Sequence, residues 1–148
     1  MHDSDRYEIL QLWTRTAKGT PPTSQDALEL RADEGVVGDH CLGEKRHVTF
    51  IFQDDWNAAE DELGMPVDPS ARRANVLLSG GNGLSWIGKR MRLGSCLLEI
   101  HKETAPCSQM DEAAPGLMKA LVPDGRGGVW GRILEGGTIQ PGDQATEA

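Results

Sequence analysis

The residue with the strongest claim to chemistry in this sequence is Cys107, within Thr104-Ala105-Pro106-Cys107-Ser108-Gln109-Met110. A proline precedes it, polar residues follow it, and no apolar alternation surrounds it. The competing reading is a buried, inert cysteine, the default for the residue type. A thiol close to a helix start, with arginines at hand, gains thiolate character, which a nucleophile or soft metal ligand requires. Asp111 and Glu112 oppose such an anion. Its support is therefore expected from a helix beginning near Pro115 together with at least one arginine.

The other two cysteines read differently. Cys96 is in phase with Leu98 and Ile100, so it is expected in the core, while Glu99 and His101 occupy the opposite face of the same strand. Cys41, within Asp39-His40-Cys41, reads as a tolerated surface thiol. A zinc site built from Cys41, His47, Cys96 and Cys107 has no CxxC or HxxxH spacing behind it and is set aside.

Arg72 and Arg73 with Asn75, Arg126, Arg132 and Lys89 could line an anion site, because guanidinium groups bind phosphate oxygens in pairs. Any one of these cations taken alone reads better as solvated surface. Gly80-Gly81-Asn82-Gly83 resembles a phosphate loop only weakly, lacking the Lys-Ser/Thr of a P-loop and the GxGxxG spacing. No nucleophile elbow or Ser-His-Asp order is present.

These residues must be positioned by many short elements. The 148 residues fit one domain, and 18 glycines with eight prolines favour turns and short strands over long helices. Strands are expected at 7–14, 27–31, 47–52 and 74–79, with a polar loop at 15–26 and a long surface loop at 33–46. A helix capped by Asp54 or Asp55 should run to Leu63 and stop at Gly64, presenting Trp56, Ala59 and Leu63 on one face. A short turn or helix starting at Asp68-Pro69-Ser70 carries Arg72 and Arg73. Segments 90–93 and 96–101 read as a hairpin about Gly94-Ser95. A helix at 115–121 follows, then a hairpin of 129–135 with 138–140 about Gly136-Gly137. Residues 1–6 and 144–148 are expected to fray. The pattern predicts a mainly β, α+β domain: a closed or nearly closed mixed β-barrel.

The net charge of −8 argues against nucleic-acid or anionic-membrane partners, which want a basic face. No run of 18 apolar residues suggests a membrane span, and the first residues lack the pattern of a signal peptide. Three cysteines, without paired spacing, do not form a secreted disulfide framework. A cytoplasmic location is expected.

Taken together, GVVGDH (35–40), RHVTFI (46–51), DELGMPVDPSARRANVLL (61–78), LGSCLLEI (93–100), APC (105–107), PGLMKAL (115–121) and GRGGVWGRILEGGTIQPGD (125–143) resemble a MOSC domain over roughly 27–143. The family is named after the C-terminal part of molybdenum cofactor sulfurases. The resemblance implies a mixed β-barrel, the molybdenum cofactor (molybdopterin) as ligand, and a cysteine, matching Cys107, that carries sulfur as a persulfide or ligates molybdenum. It also implies that Arg73 and Asn75 form the family's Arg-x-Asn element, with Arg72 and Arg132 as further cofactor-binding candidates. His47 stands where the family strand often reads Arg-Gln-Val-Thr, so the position departs from the pattern. In family enzymes sulfur comes from a pyridoxal-phosphate-dependent cysteine desulfurase. This sequence contains no segment resembling a desulfurase, iron–sulfur or flavin module, so a desulfurase or redox partner is expected as a separate protein. If the chain is an enzyme, the resemblance implies a sulfurtransferase or a component of a molybdenum-dependent reductase of N-hydroxylated substrates. Two other readings compete: a non-catalytic β-barrel ligand-binding or regulatory module with an incidental cysteine, and a nucleotide-binding regulator using the glycine loop.

Overall fold

Eleven strands and three short α-helices are described in the computed structural model, which covers Tyr7 to Ala148; the fraying expected for residues 1–6 lies outside the described residues. The strands are β1 (Tyr7–Thr14), β2 (Thr23–Gln25), β3 (Leu28–Arg31), β4 (Gly35–Val36), β5 (Val48–Phe52), β6 (Val76–Leu78), β7 (Arg90–Leu93), β8 (Cys96–Glu103), β9 (Val129–Glu135), β10 (Gly137–Ile139) and β11 (Gln144–Glu147). The helices are α1 (Gln53–Leu63), α2 (Met110–Ala113) and α3 (Leu117–Leu121).

The large sheet runs β11-β7-β8-β9-β5-β6-β1, with β2 appended, and β11 also pairs with β1, so seven strands close into a barrel. The β5–β6 pair is parallel and its neighbours are antiparallel, which makes the barrel mixed, as expected from the sequence. A parallel pair needs a crossover. Here α1 and the turn at Pro69–Arg72 supply it, which is how the Arg72 segment comes to lie over one end of β5 and β6.

Alternation along the strands builds two apolar clusters. Phe50, Phe52, Val76 and Leu78 point into the barrel with Cys96, Leu98, Ile100 and Ile133. Ile51 and Leu77 point outward and pack against Trp56 and Ala59 of α1, with Met110, Leu117, Ala120 and Leu121. Trp56 also donates from Nε1 to the Val67 carbonyl at 2.8 Å. Truncating it to Ala would cost about 3–5 kcal/mol through lost burial and a cavity.

Several local expectations need correction. Helix α1 starts at Gln53 with Phe52 as N-cap and no side-chain cap. Asp55 instead accepts from the backbone N–H of Asn82 and Gly83, tying the helix to the glycine loop. The expected loop at 15–26 contains β2, paired with β1, and the expected surface loop at 33–46 contains β4, paired with β3. The hairpin about Gly136-Gly137 does not form: β10 pairs with β3 rather than β9, giving a small sheet ordered β10-β3-β4. Gly136 permits this, because a Cβ there would collide with the Leu30 carbonyl. The stretch expected as one helix from Pro115 begins at Leu117, after a separate turn of α2, with Gly116 at φ 90° between them.

The expected fraying of 144–148 is also overturned. β11 lies between β7 and β1, and Ala145 is buried in the barrel cluster. A four-residue edge segment looks weak in isolation, but here it has ladder partners on both sides.

Candidate functional site

Arg72 connects the crossover to the segment carrying Cys107. Asp68 accepts from the Ser70 N–H at 2.9 Å and starts the turn at Pro69–Arg72; Arg73, at φ 63°, ends it and sends the chain into β6. Arg72 then reaches across, donating from Nε to the Gly127 carbonyl at 2.8 Å and from Nη2 to the Thr104 carbonyl at 3.1 Å. Thr104 is buried and donates from Oγ1 to the same Gly127 carbonyl at 2.8 Å, and its N–H donates to the Gly128 carbonyl at 2.9 Å. Gly127 must lack a Cβ, which would lie 2.7 Å from the Thr104 oxygen. The loop root is thereby fixed three residues before the thiol.

Cys107 itself is a free, exposed cysteine, whereas Cys96 is buried and Cys41 half-buried. The Cys107 carbonyl accepts from Met110 N–H at 3.0 Å, opening the single turn of α2. That helix has four residues and α3 five, too short for a helix dipole to stabilise a thiolate appreciably. Arg72 is the cation whose charge interacts with Cys107. Burial lowers the Arg72 pKa to about 10; the charge of Cys107 opposes that shift, and the positive charges of Arg46 and Arg15 reinforce it. Arg72 remains charged at neutral pH, and the charges of Cys107, Arg46 and Arg15 reach it in a protein whose net charge is −8.

The remaining candidates occupy distinct places. Arg73 donates from Nη1 to Gln109 at 3.2 Å, on the same segment as Cys107, and lines a neighbouring groove with Pro21, Pro22 and Glu112. Asn75 is buried behind this region. Its Oδ1 accepts from Thr49 N–H at 3.1 Å, and its Nδ2 donates to the Trp13 carbonyl at 3.2 Å and to Asp39 at 3.4 Å. Asn75 therefore holds β1, β5 and the loop before His40 together. Arg132 donates to the Lys45 carbonyl at 3.2 Å and faces Glu99 across β8 and β9. Arg126 binds Glu62 and the Ala120 carbonyl, and Lys89 pairs with Glu147; neither is placed with Cys107.

His47 is buried, with Nδ1 accepting from Ile133 N–H at 2.9 Å. Burial pushes its pKa down, and the Arg132 charge adds to the shift, with Asp33 opposing. It is held as a neutral acceptor. The zinc set dismissed on spacing also fails on placement, since Cys96 is in the barrel core and His47 is committed to Ile133.

Three features escaped the sequence reading. The positive charges of Arg15 and Arg46 act on Arg72. Arg46 lies over Trp130, 5.9 Å from the ring centroid, and His101 stacks on the same ring at 5.2 Å. The register of β8 against β9 shifts between Ile100 and Lys102, a bulge at His101 beside that stack. Arg46 adjoins the His47-Val48-Thr49 strand already singled out, a usable signal; Arg15 carried none.

A family model described as "MOSC domain" matches residues 37–146. Among solved structures, the YuaD protein from Bacillus subtilis matches with a TM-score of 0.82 at 21% identity, covering 95% of this chain and 94% of that one. YiiM from Geobacillus stearothermophilus matches at 0.76 with 20% identity, over 96% of this chain and 75% of that one. YiiM from Escherichia coli matches at 0.73 with 16% identity, over 97% and 69%. At these identities the likeness concerns the fold. No curated protein matches the chain. Among the described residues, no helix is long and apolar enough to cross a membrane.

Proposed function

This chain belongs to the MOSC domain family, and from that premise we propose that it works on the molybdenum cofactor through Cys107, as a sulfur carrier or a molybdenum–thiolate ligand. The observation that carries the reading is the exposed Cys107 thiol on a loop whose root Arg72 braces through the Thr104 and Gly127 carbonyls. The donor set suits the group: a soft thiolate for a sulfur-rich metal centre, and guanidinium groups for the anionic pterin phosphate. When bound, the cofactor supplies two-electron redox chemistry that the side chains of this chain lack.

The chain's own residues have defined tasks. Arg72 fixes the loop root through the Thr104 and Gly127 carbonyls and carries a positive charge towards Cys107. Arg46 and Arg15 add charge for the ligand's anionic end. Arg73 orients the segment through Gln109, and Asn75 holds the strands beneath it. In sulfur transfer, Cys107 loses its proton to solvent and its thiolate attacks the outer sulfur of a donor's persulfide. The new S–S bond forms as the donor's S–S bond breaks and the donor's thiolate leaves, so no external oxidant is consumed. The natural donor in this reading is a separate pyridoxal-phosphate-dependent cysteine desulfurase, with a redox protein as partner if the chain serves a reductase.

The test is incubation of the purified protein with a cysteine desulfurase and cysteine, followed by intact mass measurement and molybdenum analysis. One added sulfur, or near-stoichiometric molybdenum, that is abolished in Cys107→Ala supports the proposal. Absence of both leaves a ligand-binding module with an incidental thiol.

A further inference from the structure

Asp39, His40 and Cys41 present three different donor types, with their ligand atoms all within 4.8 Å of one another. Cys41 Sγ lies 3.5 Å from His40 Nε2 and 3.8 Å from Nδ1. A tetrahedral ion with metal–sulfur bonds of about 2.3 Å and metal–nitrogen bonds of about 2.0 Å holds its S and N ligands about 3.5 Å apart. Cys41 Sγ meets the distance but lies beside the imidazole, nearly equidistant from both nitrogens, so His40 must turn its ring to aim a lone pair at an ion shared with Cys41.

The backbone holding these side chains is fixed on several sides. His40 N–H donates to the Arg15 carbonyl at 2.8 Å, Asp39 N–H to Val36 at 3.2 Å, and Leu42 N–H to Asp39 at 3.1 Å. Asp39 Oδ1 accepts from Arg15 N–H at 2.9 Å and from Asn75 Nδ2 at 3.4 Å, and Oδ2 accepts from Cys41 N–H at 3.1 Å. These bonds orient the carboxylate and occupy both lone pairs of Oδ1 but only one of Oδ2, which keeps a lone pair for an ion. His40 and Cys41 are half-buried, so an ion there would be partly desolvated yet reachable from solvent. Asp39 with a Cys41 thiolate would neutralise a divalent cation. Glu44 adds negative potential at Cys41, while Arg15 and Arg46 subtract from it.

We propose that Asp39, His40 and Cys41 form a site for one divalent cation of borderline softness, zinc-like in its preferences, with solvent completing a tetrahedral shell. Mixed O, N and S donors select such an ion over magnesium or calcium, which take oxygen ligands. On binding, the Cys41 S–H bond breaks, the proton passes to solvent and a sulfur–metal bond forms, with no change in oxidation state. The site does not depend on Cys107 or on the molybdenum cofactor.

The experiment uses the full chain after chelator treatment, titrated with Zn²⁺ against a chromophoric chelator and, separately, with Co²⁺ as a spectroscopic stand-in. One ion per chain, about one proton released per ion, and a thiolate-to-cobalt charge-transfer band are expected. Cys41→Ser and His40→Ala should each weaken binding about tenfold or more, and Cys107→Ser should leave it unchanged. Both variants alter half-buried side chains and should fold, which circular dichroism verifies. Absence of stoichiometric binding, binding unaffected by Cys41→Ser, or binding lost only in Cys107→Ser would overturn the proposal.

Discussion

Arg72 donates from Nη2 to the Thr104 carbonyl at 3.1 Å, so one guanidinium braces the root of the loop that ends in Cys107. Lysine has three donors on a single nitrogen and cannot reproduce the fixed fork by which Arg72 meets the Gly127 and Thr104 carbonyls from two nitrogens. Arg72→Lys should therefore cost about 1–3 kcal/mol, the penalty for leaving buried polar groups poorly paired. It should also change the Cys107 alkylation rate at pH 7. Denaturant melts and alkylation kinetics check both; unchanged values in each would show that the brace is dispensable.

The three thiols should react in order of exposure: Cys107 first, Cys41 more slowly, and Cys96 only after unfolding. Burial raises the pKa of Cys41 and of Cys96, which lowers their thiolate fractions further. Time-resolved alkylation with peptide mass mapping reads this order directly.

His47 makes stability depend on pH with a defined sign. Its folded pKa lies below the unfolded value of about 6.5, so the unfolded chain takes up the proton first. The contribution is complete above that pH and is lost as pH falls from about 6.5 towards the lower folded value. Protonation also removes the acceptor used by Ile133 N–H. His47→Gln should flatten this part of the stability–pH curve, as measured by denaturant unfolding from pH 7.5 to 5.

Gly128 has φ 96°, and a Cβ on it would run into the Phe50 carbonyl. Gly128→Ala should destabilise the domain by about 2–3 kcal/mol, because the left-handed backbone and the close approach both penalise a side chain. Gly19→Ala tests the two effects apart. Gly19 shares the left-handed φ but has open space around it, so its loss should stay near 1 kcal/mol.

Much of this molecule was legible where local pattern and tertiary environment agree. β1 matches its expected bounds, and the alternation through Cys96, Leu98 and Ile100 correctly put that cysteine in the core. The exposure of Cys107 followed from the absence of such a pattern. The failures share a cause: β4, β10 and β11 have two to four residues each and exist through partners distant in sequence. Arg15 was illegible for a related reason. It is an ordinary cation at the end of a strand until the fold brings Arg72 near it.

The pairing of Tyr7 with Ala145 sets the order in which this chain can acquire its structure. The two partners lie at opposite ends of the described residues, so the barrel cannot be sealed while residues near 145 are still inside the ribosome. Until then β1 and β7 each present an open ladder edge, able to pair with another nascent chain. Closure of so long a loop is also an intrinsically slow step. The seam between β1 and β11 is therefore where synthesis rate, chaperone occupancy and aggregation compete.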